Sequence, residues 1–185
     1  MATKKAAAKK TATKPLKIHE VVKYPDPILA VRGEEVTVFD AELKQFVDEM
    51  FDSMYAAHGI GLAAPQISVS KRIAVVDVSF KKNAKDKVVL INPEIVEREG
   101  KLLEEEGCLS LPDIREKVSR AAKVKVRAQD VTGEWFEIEG EELFSRALQH
   151  EIDHLDGILF IDRISRLKRE LVLRKIKKLQ KNGEW

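Results

Sequence analysis

The sequence predicts a single α+β domain, with a central helix packed among small antiparallel β-sheets and a further helix near the C-terminal end. Three observations predict it. Apolar residues recur at helical spacing near residues 39–57, 141–155 and 163–181. Between the first two of these lie several β-rich segments, and one pair flanks a turn and reads as a hairpin. The chain has 185 residues, enough for one domain with a real core.

Taken in order, residues 1–17 hold six lysines, no acid and no aromatic side chain. Nothing there can form a core, so a disordered basic tail is expected, ahead of a folded domain over 18–185. Contact with an anionic surface and organelle targeting are the alternatives. The absence of Arg and Ser argues against targeting, so a cytoplasmic protein is expected. Tyr24-Pro25-Asp26-Pro27 must be extended or turning. The helix over 39–57 has Asp40 as its N-cap and Leu43, Phe46, Val47, Met50, Phe51 and Met54 facing inward.

A small, polar-poor stretch follows, His58-Gly59-Ile60-Gly61-Leu62-Ala63-Ala64-Pro65-Gln66. It reads as a helix-to-strand turn whose glycines allow close backbone approach of another chain or a ligand. A dinucleotide fingerprint does not fit, because no strand precedes it and the third glycine is missing. Residues 72–79 and 87–91 are β-rich. Asn92-Pro93 is expected to break the run before a further strand over 94–99. Residues 122–128 and 134–139 alternate in hydrophobicity around Asp130-Val131-Thr132-Gly133, which is the hairpin.

The segment 141–155 contains neither Gly after residue 140 nor Pro, and Gly157 is its stop signal. Within it lies His150-Glu151-Ile152-Asp153-His154. On a helix, His150 and His154 share a face one turn apart, on the stripe that also carries Leu143 and Ala147. That spacing lets two imidazoles bind one metal ion, with Glu151 placed to act as a base on water. So short a pattern also recurs by chance on charged helices. A catalytic site needs a third ligand. Glu170 lies downstream but among basic residues, as a surface position. Cys108 is the better candidate, since its thiolate suits a borderline-soft metal and Cys/His/His is a catalytic set. A lone cysteine also reads as a small buried hydrophobe.

Three stretches carry a resemblance: Gly59-Ile60-Gly61-Leu62-Ala63-Ala64-Pro65-Gln66, Glu106-Gly107-Cys108-Leu109-Ser110 and Gln149-His150-Glu151-Ile152-Asp153-His154-Leu155-Asp156-Gly157. In order and separation they resemble the signature motifs of the peptide deformylases, over about residues 18–178. The resemblance implies hydrolysis of the N-formyl group from the initiator methionine of nascent chains. It implies Cys108, His150 and His154 as metal ligands and Glu151 as general acid/base, with Gln66 and the Leu109 backbone N–H holding the oxyanion. It implies Fe²⁺ as the cellular metal, with Ni²⁺, Co²⁺ or Zn²⁺ able to substitute. Gly59, Ile60 and Gly61 would lie along an added peptide strand. Leu143 and Ala147, with Ile60, would wall a methionine pocket, and Arg115 would sit near the peptide backbone. Arg146 departs from the family's usual apolar residue at its position, and its stem can still line a pocket.

Two rivals are weighed. A His-Glu-x-x-His endopeptidase lacks its downstream ligand here. A catalytically dead metal- or peptide-binding module has no need of Glu151. The basic helix over 163–181 carries nine Lys or Arg side chains and one Glu. It reads as a solvated face on a packing helix, or as a dock for an RNA-rich surface such as the ribosome. Net charge is only +2, so the whole molecule does not read as a nucleic-acid binder. One cysteine forbids an internal disulfide and suits a reducing compartment. No run approaches the roughly 20 apolar residues of a membrane span.

Overall fold

Asp40 accepts a hydrogen bond from the backbone N–H of Leu43 at 2.9 Å and starts α1, Ala41–Ala56, as its residue type predicts. Leu43, Val47, Met50, Phe51 and Met54 are buried from this helix, and Phe46 packs beside them. The structure, a computed structural model, describes residues 17–82 and 86–185. The expected basic tail thus falls outside the described residues except for Lys17.

Among the described residues seven strands follow: β1 (Gly61–Ala63), β2 (Ile73–Val76), β3 (Val88–Glu99), β4 (Leu102–Cys108), β5 (Leu111–Arg120), β6 (Lys123–Gln129) and β7 (Trp135–Glu141). Five form an antiparallel sheet in the order β1-β2-β3-β6-β7, while β4 and β5 pair separately. Then come α2 (Glu142–Leu155) and α3 (Arg166–Asn182). Strand alternation explains the layering. On β2, Ile73 and Val75 join the cluster under α1, whereas Ala74 and Val76 join the one under α2. The helix that carries both histidines therefore packs on one face of the sheet, through Ala147, Leu148, Ile152 and Leu155, and α1 covers the other.

Three expectations need correction. The stretch 58–66 is not all turn, because it contains the edge strand β1 and then a 3-10 turn, Ala64–Ile67. Asn92-Pro93 does not break the strand, since β3 runs through it with a shift of register between Ile91 and Glu94. The Asn92 side chain accepts from Val36 N–H at 2.9 Å and donates to the carbonyl of Val36 and to Gln129 Oε1, each at 2.8 Å. Those bonds offset the ladder bonds lost at the irregularity. Finally, the apolar face of α3 is narrower than predicted. Val172 and Ile176 are buried against Leu111, Ile114 and Val118 of β5, but Leu167 and Leu171 are more than half exposed.

Candidate active site

The centre is built by α2 and the β4–β5 turn. Helical spacing puts His150 and His154 on one face with their Nε2 atoms 3.2 Å apart, and the sulfur of Cys108 lies 3.2 Å from His154 Nε2. The three candidate ligand atoms all lie within 4.8 Å of one another. Lone pairs converging so closely fit a shared divalent cation, which a thiolate and two imidazoles would hold. Glu170, the rejected alternative ligand, is paired on α3 with Arg166 and Arg174 and takes no part in this cluster.

Behind the cluster lies a chain of buried charges. His150 Nδ1 is 2.6 Å from Glu106 Oε1, which turns Nε2 toward Cys108. Glu106 takes a two-pronged bond from Arg120, at 2.6 and 3.0 Å. Arg120 in turn meets Asp153 at 2.5 Å, and Arg163 grips the same carboxylate at 2.6 and 3.0 Å. Sequence reasoning missed these roles. Glu106 and Asp153 stood inside the quoted motifs, but their partners come from β5 and the segment after α2. The only signal was an acidic residue on an otherwise inward position.

Burial sets the proton affinities. It works against charge on Glu106, but bonds from His150 and Arg120 outweigh it and hold that carboxyl at about 2. Burial likewise opposes charge on His150, yet Cys108 and Glu106 hold its ring well above the ordinary imidazole range. His154 is pushed well below that range by burial and by the charge on His150. Glu151, buried and without such donors, is pushed up by burial to about 7. A carboxyl poised there both takes and gives protons near neutral pH. Its Oε2 has no hydrogen-bond partner among the described residues.

Gln66 is buried in the 3-10 turn after β1. Its Oε1 accepts from Ala63 N–H at 2.9 Å, which turns Nε2 toward Ser110 Oγ, at 3.2 Å, and Cys108 Sγ, at 3.6 Å. Leu109 occupies the β4–β5 turn directly after Cys108. All the site residues expected from the sequence, His154 excepted, line one cleft of about 340 Å³. Gly59, Ile60 and Gly61 form one wall, Leu143 and Ala147 of α2 another, and Arg115 of β5 stands at the rim. His154 lies beneath the floor, 1 % exposed. Gly61 has a use the sequence did not reveal: a Cβ there would stand 2.2 Å from Glu151 Oε1. Its closest demand is from the carboxylate, not from a peptide. Arg146 also lines the cleft, and its Nη2 donates to the backbone carbonyl of Glu105 across the gap.

Comparison with known proteins gives the family. The family model described as polypeptide deformylase matches residues 18–170. A peptide deformylase of Acidobacterium capsulatum is 68 % identical over 168 residues, covering 91 % of this chain and 99 % of its own. The crystal structure of a peptide deformylase from Legionella pneumophila superposes with a TM-score of 0.84 at 45 % identity, covering 90 % of this chain and 98 % of that one. One from Plasmodium falciparum gives 0.82 at 44 % identity, over 88 % and 96 %. With the match running through β1, the β4–β5 turn and α2, where the three quoted motifs meet, this chain belongs to the polypeptide deformylase family.

Proposed function

We propose that the chain removes the N-formyl group from the initiator methionine of nascent polypeptides, releasing formate, and that the cleft on α2 is where it does so. The observation that carries this reading is the meeting, at one cleft floor, of the Cys108, His150 and His154 ligand atoms with the buried acid Glu151. Cys108, His150 and His154 hold a divalent metal ion, and Fe²⁺ is the proposed cellular ion, with Ni²⁺, Co²⁺ or Zn²⁺ as substitutes. When bound, such an ion supplies Lewis acidity toward water and the formyl carbonyl. Glu151 accepts a proton from the attacking water and returns it to the departing nitrogen. Negative charge then develops on the former carbonyl oxygen. Gln66 Nε2 and the Leu109 N–H are fixed donors for it, and loss of one such donor typically slows a reaction by about 10²–10³.

The peptide lies as an added strand along the open edge of β1, at Gly59-Ile60-Gly61. Arg115 has no acidic partner among the described residues, so its guanidinium is available to the peptide backbone at the rim. The methionine side chain enters between Ile60, Leu143 and Ala147.

Docking at the ribosome through α3 and a cytoplasmic location complete the proposal. Most cations in the first half of α3 are already used: Lys168 by Glu116, Arg169 by Asp162, Arg166 and Arg174 by Glu170. Lys177, Lys178 and Lys181 have no acidic partner among the described residues, and Leu167 and Leu171 stay exposed on the same helix. No helix among the described residues is long and apolar enough to cross a membrane. Reversing the charge of those three lysines is expected to lower ribosome co-sedimentation and leave formate release from short peptides intact. Unchanged co-sedimentation counts against docking.

The deciding experiment is formate release from a formyl-Met tripeptide by anaerobically purified protein loaded with Fe²⁺ or Ni²⁺, beside a Glu151→Ala variant. Release by the parent and a loss of several orders of magnitude in the still-loaded variant establish the reaction and the base. No release from a folded, loaded parent refutes the reading.

A further inference from the structure

Arg146 links α2 to β4 at the cleft, beside the Glu106–His150 bond that links the same two elements. It projects from α2 four residues before His150, about 6 Å back along the helix from the ligand cluster. Its partner, the carbonyl of Glu105, lies on β4 three residues before Cys108, about 10 Å along the strand. The contact therefore closes the end of the cleft remote from Cys108 and His150.

Strand geometry gives the contact a meaning. Glu105 pairs with Lys117 and Gly107 with Arg115 in a ladder that is regular up to Gly107. In an antiparallel pair, alternate residues turn their backbone groups toward the partner strand or away from it. Arg146 reaches the Glu105 carbonyl from α2, so that carbonyl points away from β5. Two residues on, the N–H and C=O of Gly107 share this direction and face the cleft. The open edge of β4 thus offers Gly107 to an added peptide strand, while the next outward acceptor, Glu105, is already taken. An unpaired strand edge accepts whatever extended chain reaches it unless something blocks it.

We propose that Arg146 is a specificity-determining residue: its bond to Glu105 bars the far end of the cleft, stops an added strand at Gly107 and limits the substrate's first side chain to about four atoms in line. One helical turn from His150 matches that reach, which methionine and norleucine fill and longer unbranched chains exceed. The aliphatic stem of Arg146 supplies apolar wall beside Leu143 and Ala147, and the guanidinium supplies the stop. Its Nε has no partner among the described residues, so the bond from Nη2 to Glu105 is what fixes the guanidinium.

The inference rests on the deformylase reading, and the test separates the two. Formate release is measured from tripeptides beginning with formyl-methionine, formyl-norleucine and formyl-2-aminooctanoic acid, for the metal-loaded parent and for Arg146→Ala and Arg146→Lys. An extra methylene that meets a pocket wall is discriminated by about 10–200-fold. In the parent, kcat/KM for the aminooctanoyl peptide is expected to fall at least tenfold below that for the methionyl peptide. In Arg146→Ala that ratio rises at least tenfold, mainly through KM, and Arg146→Lys, whose amine can reach the same carbonyl, restores most of the parental ratio. An Arg146→Ala enzyme that still cleaves the methionyl peptide with the parental side-chain ratio overturns the role given to Arg146. A parent inactive on formyl-methionine overturns the deformylase reading, and this inference with it.

Discussion

Gly61→Ala places a single methyl group against the proposed base. The added Cβ would stand 2.2 Å from Glu151 Oε1, 2.8 Å from its Cδ and 3.0 Å from its Cγ. Ordinary contact requires the carboxylate to withdraw by roughly 1 Å, and misplacement on that scale costs about 10²-fold in rate. The strand cannot give way instead, because Gly61 is paired with Val76 and the Asp77 N–H holds the Ile60 carbonyl at 2.8 Å. Glu151 is free to yield, since Oε2 has no partner to hold it. The variant should therefore fold, bind metal and lose about two orders of magnitude in kcat for a formyl-Met tripeptide, with KM changed far less. Formate release, metal content by elemental analysis and thermal unfolding on the same preparation separate these effects. A fully loaded Gly61→Ala enzyme with parental kcat would refute the claim that this glycine exists to seat Glu151.

Two further outcomes follow from the buried charges. Glu106→Gln removes the carboxylate that orients His150 and meets Arg120; metal affinity should fall about 10–100-fold in a chelator competition. Breaking a buried pair also costs about 3–5 kcal/mol, at the lower end here because Asp153 still faces Arg120. Parental affinity in that variant would show that the bond to Nδ1 is idle. At the far side of the sheet, Tyr55 donates to buried Asp77 at 2.5 Å. Burial works to raise the Asp77 carboxyl, but bonds from Ser79 and Tyr55 outweigh it and hold it below its ordinary value. A depressed carboxyl stabilises the fold above its unfolded-state pKa, and that stability is lost as pH falls through the folded value. Tyr55→Phe raises the folded value, so its loss of stability on acidification should begin at higher pH than in the parent. Coincident acid-unfolding curves would rule this out.

What the sequence made legible was whatever depends on local spacing. The cap at Asp40, the β6–β7 hairpin and the histidine face of α2 each follow from residues within a few positions of one another. Cys108 was reachable because metal chemistry demands a third ligand. The β4–β5 hairpin was not legible as two strands: Leu103, Glu104 and Glu105 are all exposed, so β4 shows little of the alternation that marks a half-buried strand. The continuity of β3 was hidden for a different reason. Asn92 and Pro93 carry the local signs of a break, and only the distant Val36 and Gln129 supply the bonds that keep the strand going. Leu167 and Leu171 mark the opposite failure, in which helical spacing was right but no neighbour covers the side chains.

The donors assigned to the oxyanion come from two elements that share no sheet, so something must fix their separation. The segment before Pro25 does this. Val22 N–H donates to the Gln66 carbonyl at 2.8 Å, and Tyr24 N–H donates to the Ser110 carbonyl at 2.9 Å. Two residues apart on an extended chain, these bonds tie the 3-10 turn of Gln66 to the β4–β5 turn that carries Leu109. From outside, Trp185 Nε1 donates to the Tyr24 carbonyl at 2.6 Å, and its ring packs with the cluster under α3. At the other end of α2, buried Arg72 binds the carbonyls of Leu155 and Pro93, each at 3.1 Å, and Asp156 at 2.7 Å, which seats the histidine helix on β3. Preorganised donors are effective only if they do not move as charge develops. Here that rigidity comes from backbone bonds made by a segment with no catalytic group of its own, which is a physical reason for the matched domain to begin at residue 18, well before the first motif.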